Sequence, residues 1–166
     1  MDPRTIAGII LTGRHSTRMG NDKATLELSG GPMWRRVASV LQPFIDRILL
    51  VGAIDGLMAD PPITIVPDNP PGLGPLGGLA TGLENSGRTH HLVVAADYPL
   101  IRPELLDLLL RKSPSQMAVC RRSGQFLEPL IGYYHSSCAP VARAMLAQRE
   151  VRTFRLIERV TSVCVE

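Results

Sequence analysis

The chain has 166 residues, 45% of them apolar, which suits one globular domain with a core of its own. A net charge of +3 with only 4% aromatic residues argues against a nucleic-acid groove, which would want stacking rings beside its cations. No stretch of about 18 apolar residues exists to span a membrane, and the apolar run after Met1-Asp2-Pro3-Arg4 lacks the shape of a secretory signal.

Residues 5–11 are apolar, partly β-branched and uncharged, and predict a buried parallel strand. The strand opens into a loop holding Gly13, Gly20 and three cations, Arg14, Arg18 and Lys23. Small residues let backbone N–H groups approach a phosphate, and the cations oppose its charge. The spacing matches neither usual phosphate loop. A Walker A motif would need Lys directly after Gly20, where Asn21-Asp22-Lys23 stands, and the dinucleotide fingerprint would need glycine at His15. Two readings stay open here, a phosphate-binding loop and a solvated basic loop.

Residues 24–28 form a short apolar segment punctuated by Ser29-Gly30-Gly31-Pro32. Trp34, Val37, Ala38 and Leu41 fall at helical spacing with Arg35 and Arg36 turned outward, and Pro43 ends or kinks that helix. Residues 47–51 and 63–66 read as the second and third strands, with Gly52 closing the second. Residues 67–75 are dense in Pro, Gly, Asp and Asn, and Leu76, Leu79, Ala80 and Leu83 then begin a helical face. Because compact elements flank it on both sides, the 67–75 segment reads as an active-site loop rather than a linker.

Residues 91–96 are the most strand-like run in the chain and end in Asp97-Tyr98-Pro99. A carboxylate just past a central strand is where open α/β sheets place ligand chemistry, although Asp in that setting also caps turns. Pro103, Glu104 and a leucine-rich run to Leu110 predict a helix with Pro in its first turn. Strands follow at 117–120 and 126–134, joined by a turn over 121–125 around Gly124. Ser136 or Ser137 is placed to cap a helix carrying Cys138, Val141, Ala142, Met145 and Leu146, before a short helix at 152–158 and a strand at 160–165. Alternating helices and apolar strands give a three-layer α/β sandwich with a mostly parallel sheet, in which 126–134 runs antiparallel.

Other residues suggest less. Seven of the 18 basic residues lie at Arg14, Arg18, Lys23, Arg35-Arg36 and Arg121-Arg122, which suits an anionic small molecule. Cys120, Cys138 and Cys164 are far apart in sequence and read as buried thiols of a reducing compartment. His15 reads as solvated, and His90 and His91 lack a third ligand at zinc spacing. Ser16 has no nucleophile elbow around it. Trp34 reads as core, while one of Tyr133 and Tyr134 packs inward and the other is a candidate to line a ligand site.

Leu11-Thr12-Gly13-Arg14-His15-Ser16-Thr17-Arg18-Met19-Gly20-Asn21-Asp22-Lys23 resembles the signature of nucleotidyltransferases that act on sugars and cofactors, Leu-Ala-Gly-Gly or Leu-Ala-Ala-Gly, then x-Ser-x-Arg-Met-Gly and a lysine. Asp22 before Lys23 resembles the molybdenum cofactor guanylyltransferase branch (molybdopterin-guanine dinucleotide biosynthesis protein A-like). Gly30-Gly31-Pro32-Met33-Trp34 is similar to that branch's Gly-x-Pro-Leu/Met-Trp. Asp68 followed by Gly74-Pro75-Leu76-Gly77-Gly78 resembles its Asp and Gly-Pro-Leu-Ala-Gly, and Ala96-Asp97-Tyr98-Pro99 its Cys-Asp-Met-Pro. Glu128-Pro129-Leu130 fits the later Pro-Leu. The match covers residues 6–134, with five motifs in register.

The resemblance implies a Rossmann-like α/β/α sandwich of the nucleotide-diphospho-sugar transferase type, as a single domain over residues 1–166. It implies a cytoplasmic, magnesium-dependent enzyme that moves GMP from GTP to the phosphate of molybdopterin and releases pyrophosphate. In that scheme Arg18 holds the β- and γ-phosphates, Lys23 reaches the α-phosphate and Asp97 holds Mg²⁺. Leu11, Thr12 and Gly13 present backbone groups to the nucleotide, and Asp68 reads the guanine. The implied partners are GTP and molybdopterin, with transient contacts to cofactor-delivery proteins or molybdoenzymes, and neither nucleic acid nor membrane. The alternatives are a cytidylyltransferase for the same cofactor and a non-catalytic nucleotide-binding relative.

Four departures bear on those alternatives. Arg14 stands where the family has a second glycine, Thr12 replaces alanine, and Gly52-Ala53 replaces an asparagine expected after the second strand. The family's C-terminal Asn-x-Asn-Thr-Pro and its helix would begin about where Val165-Glu166 ends this sequence. The expectation is therefore either a C-terminus lying outside the sequence or the loss of a second metal contact.

Overall fold

The structure is a computed structural model that describes residues 5–13, 31–52, 59–113 and 117–166. Seven strands form one sheet in the order β3-β2-β1-β4-β6-β5-β7. They are β1 (Ile6–Leu11), β2 (Arg47–Val51), β3 (Ile63–Val66), β4 (His90–Ala95), β5 (Ala118–Ser123), β6 (Phe126–His135) and β7 (Ser162–Val165). β1 pairs in parallel with β2 and β4, and β2 with β3. β6 runs antiparallel to both β4 and β5, as its sequence position suggested, and β7 returns parallel to β5. The helices are α1 (Met33–Leu41), α2 (Gly74–Asn85), α3 (Pro103–Lys112), α4 (Cys138–Ala147) and α5 (Thr153–Arg159).

Strand alternation sends successive side chains to opposite faces and so makes two cores. Ile6 and Ile10 of β1 join Trp34, Val37, Ala38 and Leu41 of α1 and Leu106 and Leu109 of α3. Ile9 and Leu11 join Leu76, Leu79, Ala80 and Leu83 of α2, together with residues of α4 and α5. All six residues of β1 are buried, which is why its sequence is continuously apolar rather than alternating. α2 lies tightly on β1: a Cβ at Gly82 would stand 2.8 Å from Ile9 Cγ2, on a branched side chain with little room to turn.

Several boundaries differ from the sequence expectation. A 3-10 turn, Gln42–Phe44, continues α1 past Pro43, so the proline tightens the helix end rather than cutting it. The β5–β6 connection is shorter than the 121–125 turn expected: residues 121–123 belong to β5, and only Gly124, with φ +57°, and Gln125 bridge the strands. The ladder shifts register between Cys120 and Arg121, a bulge without periodic signature. Ser137 precedes α4, yet its hydroxyl turns back to His135 Nδ1 at 2.7 Å instead of capping the helix.

Candidate functional site

Open parallel sheets bind ligands beyond the carboxyl ends of their strands, at the point where chain connections diverge to either side. Here that point lies between β1 and β4: β1 leads through α1 to β2 on one flank, and β4 lies on the other. Hydrogen bonds continue the ladder past the formal strand ends. Ala96 N–H donates to Leu11 O at 2.9 Å, Thr12 N–H to Val51 O at 2.9 Å, and Gly52 N–H to Val66 O at 3.1 Å. Four strand tips are thus fixed side by side as a rim.

Of the expected nucleotide-binding residues, Leu11 ends β1, and Thr12, Gly13, Asp68 and Asp97 follow strands of this rim. Leu11 and Thr12 are buried, and Gly13 is exposed with φ +66°, a backbone conformation that glycine takes without steric cost. The Thr12 hydroxyl donates to Val51 O at 2.9 Å, so the departure from alanine places a satisfied polar group under the rim. A Cβ at Gly52 would fall 2.2 Å from Thr12 Oγ1, and Gly52 has φ +128°. The Thr12 hydroxyl thus stands where a side chain at residue 52 would begin.

Asp68 stands two residues beyond β3 and is half-buried. Its Oδ1 and the Leu11 Cδ2 atom each lie 3.3 Å from where a Cβ of Gly78 would be. Glycine at that point of α2 lets the carboxylate settle above the tip of β1. The 67–73 segment is compact: Asn69 N–H donates to the hydroxyl of Thr81, which is fully buried on α2, and that hydroxyl donates to Asn69 O, both at 3.2 Å.

Asp97 is exposed just past buried Ala96. It does not cap α3, whose N-cap is Arg102. Among the described residues its carboxylate has no hydrogen-bond or ion-pair partner. Asp68 and Asp97 follow β3 and β4, with the tips of β2 and β1 between them. Arg14, His15, Ser16, Arg18 and Lys23 lie outside the described residues. So do residues 24–28, and no side chain is described for Arg121 or Arg122.

A carboxylate is an oxygen donor of the kind a hard cation takes. No group of three or more His, Cys, Asp or Glu that could hold a metal occurs among the described residues. Asp97 supplies one exposed carboxylate, and Mg²⁺ at phosphate sites commonly takes one or two carboxylates with phosphate oxygens and water.

The remaining candidates are structural. Tyr133 and Tyr134 are both buried, on opposite faces of the sheet, where the sequence expected one to pack inward. Tyr133 Oη meets His90 Nδ1 at 2.8 Å and burial pushes its phenol up to about 12; Tyr134 Oη donates to Pro129 O at 2.6 Å. Trp34 is core, as expected. The fold brings Cys120 and Cys164, 44 residues apart, to an Sγ–Sγ distance of 3.3 Å as register partners on β5 and β7. Cys138 is buried, and burial raises its thiol to about 12. No helix among the described residues is long and apolar enough to cross a membrane.

Comparison with known proteins agrees with this geometry. The profile of the MobA-like NTP transferase domain matches residues 8–162. A probable molybdenum cofactor guanylyltransferase of Natronomonas pharaonis is 34% identical over 167 residues, covering 94% of this chain and 80% of its own. One of the same description from Chloroflexus aggregans is 38% identical over 150 residues, covering 86% and 72%. The crystal structure of molybdopterin-guanine dinucleotide biosynthesis protein A from Archaeoglobus fulgidus shares the fold, with a TM-score of 0.77 at 22% identity over 96% of this chain and 82% of that one. The chain belongs to the MobA-like NTP transferase family.

Proposed function

We propose that this protein is a molybdenum cofactor guanylyltransferase, transferring GMP from GTP to the phosphate of molybdopterin with release of pyrophosphate. The names of its relatives support the reaction class and the guanine nucleotide over cytosine. The observation that carries the site is the stitched rim: the Ala96 N–H to Leu11 O bond ties the carboxylate-bearing tip of β4 to the strand that opens into the basic loop.

In this reading a phosphate oxygen of molybdopterin attacks the α-phosphorus of GTP. A new P–O bond forms as the bond to the β-phosphate oxygen breaks, and pyrophosphate leaves. Such transfer depends on positioning and charge neutralisation rather than on covalent work by the protein. Arg18 neutralises the β- and γ-phosphates, and Lys23 the α-phosphate oxygens, where charge builds. Gly13, the first residue beyond the ladder, offers backbone to the phosphates at a point with no side chain in the way. Leu11 and Thr12 hold that point rigid from the sheet. Asp68 accepts from guanine N1–H and N2–H, a donor pair that cytosine lacks. Asp97 would hold Mg²⁺, which would supply positive charge against the phosphates. The reaction takes place in the cytoplasm.

The test is pyrophosphate release from GTP in the presence of molybdopterin and Mg²⁺. Asp97→Asn is expected to slow turnover by on the order of 10²–10³-fold. GTP binding without pyrophosphate release would leave a nucleotide-binding relative in place of an enzyme. Release from CTP at a comparable rate would replace the guanylyltransferase by a cytidylyltransferase.

A further inference from the structure

The backbone next to Asp68 is held by groups for which the proposed chemistry has no use. Thr81 is polar, completely buried on α2, and engages both the N–H and the C=O of Asn69. Arg143 reaches over from α4, donating from Nη1 to Asn69 O at 2.7 Å and from Nη2 to Thr81 Oγ1 at 3.4 Å. Glu84 braces the guanidinium from its other side, with Nε to Oε1 at 2.9 Å and Nη2 to Oε2 at 2.5 Å. The guanidinium fork is planar, so two contacts to Glu84 fix the direction of the third toward Asn69.

Helical spacing links these contacts to the carboxylate. Gly78 and Thr81 are three apart on α2 and share a face. Gly78 leaves the space that Asp68 Oδ1 occupies, and one turn further Thr81 grips the following residue. The start of the loop therefore lies along α2, with the adjacent residues Asp68 and Asn69 both held against it. Small displacements of a polar group that reads a base cost discrimination steeply, because an unpaired buried donor or acceptor is costly.

We propose that Thr81 and Arg143 are positioning residues for base discrimination: by locking the Asn69 backbone between α2 and α4, they hold the Asp68 carboxylate where it meets the guanine edge. The inference rests on the reading of Asp68 as the guanine acceptor.

The probes are GTP, ITP (which lacks the 2-amino group) and inorganic tripolyphosphate, titrated calorimetrically into the whole chain with Mg²⁺. Asp68→Asn is expected to bring the GTP and ITP dissociation constants together. Arg143→Ala and Thr81→Val are expected to weaken GTP by roughly 3- to 30-fold, the range of coupling through packed networks, and to weaken ITP, which keeps N1–H, by less, while leaving tripolyphosphate within about twofold. Thr81→Ser, which keeps the hydroxyl, retains the GTP preference, and Glu84→Gln, which takes one of the two acceptors from the Arg143 guanidinium, lowers it by less than Arg143→Ala does. Loss of affinity for all three probes together would mean a merely structural role and overturn the proposal. So would an unchanged GTP-to-ITP ratio in Arg143→Ala and Thr81→Val beside a collapsed ratio in Asp68→Asn. A ratio unmoved by Asp68→Asn would instead strike the assignment of Asp68, and the positioning role with it.

Discussion

At Gly52 and Thr12 two neighbouring strand tips meet in one steric contact. The Thr12 hydroxyl occupies the position a residue-52 Cβ would take, and its bond to Val51 O gives it a reason to stay there. Gly52→Ala therefore carries two penalties, an overpacked contact and a left-handed φ. Together they should lower stability by about 2–4 kcal/mol. Thr12→Ala alone loses one hydrogen bond, about 1 kcal/mol, since Thr12 N–H still serves Val51 O. The double variant Thr12→Ala with Gly52→Ala should recover the steric part and keep the φ part, leaving a favourable coupling of about 1–3 kcal/mol. Urea midpoints of the four proteins measure it, and additivity would show that Oγ1 and the new Cβ do not collide. Neither partner is informative by itself in the sequence. The collision joins positions 40 residues apart, and no local pattern encodes it.

Among the elements, β4 carries the clearest solvent-linked property. His91 is completely buried, with Nδ1 3.0 Å from Tyr134 O and Nε2 2.6 Å from Ser86 Oγ. A carbonyl only accepts, so Nδ1 carries the proton and Nε2 accepts from the serine hydroxyl, and the ring is neutral. Burial lowers its folded pKa to about 4, against 6.5 for an unrestrained histidine. The unfolded chain then binds the extra proton first as pH falls. The stability this residue confers is complete above about 6.5 and drains away toward 4. Linkage puts the loss near 2 kcal/mol by pH 5, before carboxylates begin to titrate. His90 is shifted the same way by burial and the neighbouring His135, and adds to the slope. Chemical denaturation between pH 7 and 5 should show this decline, and His91→Gln should flatten most of it while costing stability at pH 7. A decline of equal slope in the variant would assign it elsewhere. The strand was legible because it is a continuous apolar run, whereas its histidines were readable only as a non-site. What they do depends on β6 and the end of α2, across the sheet.

For the whole molecule, burial governs what could be read. β2 and β3 have the predicted boundaries, and the residues whose 3.6 spacing marked α1 and α2 are buried, with Met33 on α1 and Gly77, Gly78, Thr81 and Gly82 on α2 buried beside them. Periodicity reports burial, and burial of these faces is most of what folds the chain. Asp68 and Asp97 were legible through motifs that follow strands. Thr81 and Arg143 were not: both look like ordinary helix residues, and their partner Asn69 lies 12 and 74 residues away. The three-layer frame also predicts how ligand binding is felt. The rim joins four strands of one sheet, and both cores pack on those strands, so a nucleotide bound there stabilises the fold as a unit. GTP with Mg²⁺ at 100 times its dissociation constant should contribute about 2.7 kcal/mol. For a domain of this size each kcal/mol moves the midpoint by about 2–4 °C, so scanning calorimetry should show Tm rising by roughly 5–11 °C. CTP at the same concentration should give a distinctly smaller shift, because it lacks the donor pair that Asp68 is proposed to meet, and Asp97→Asn should shrink the GTP shift only when Mg²⁺ is present. Equal shifts from GTP and CTP would mean that the triphosphate alone is recognised, and Asp68 would have no part in choosing the base.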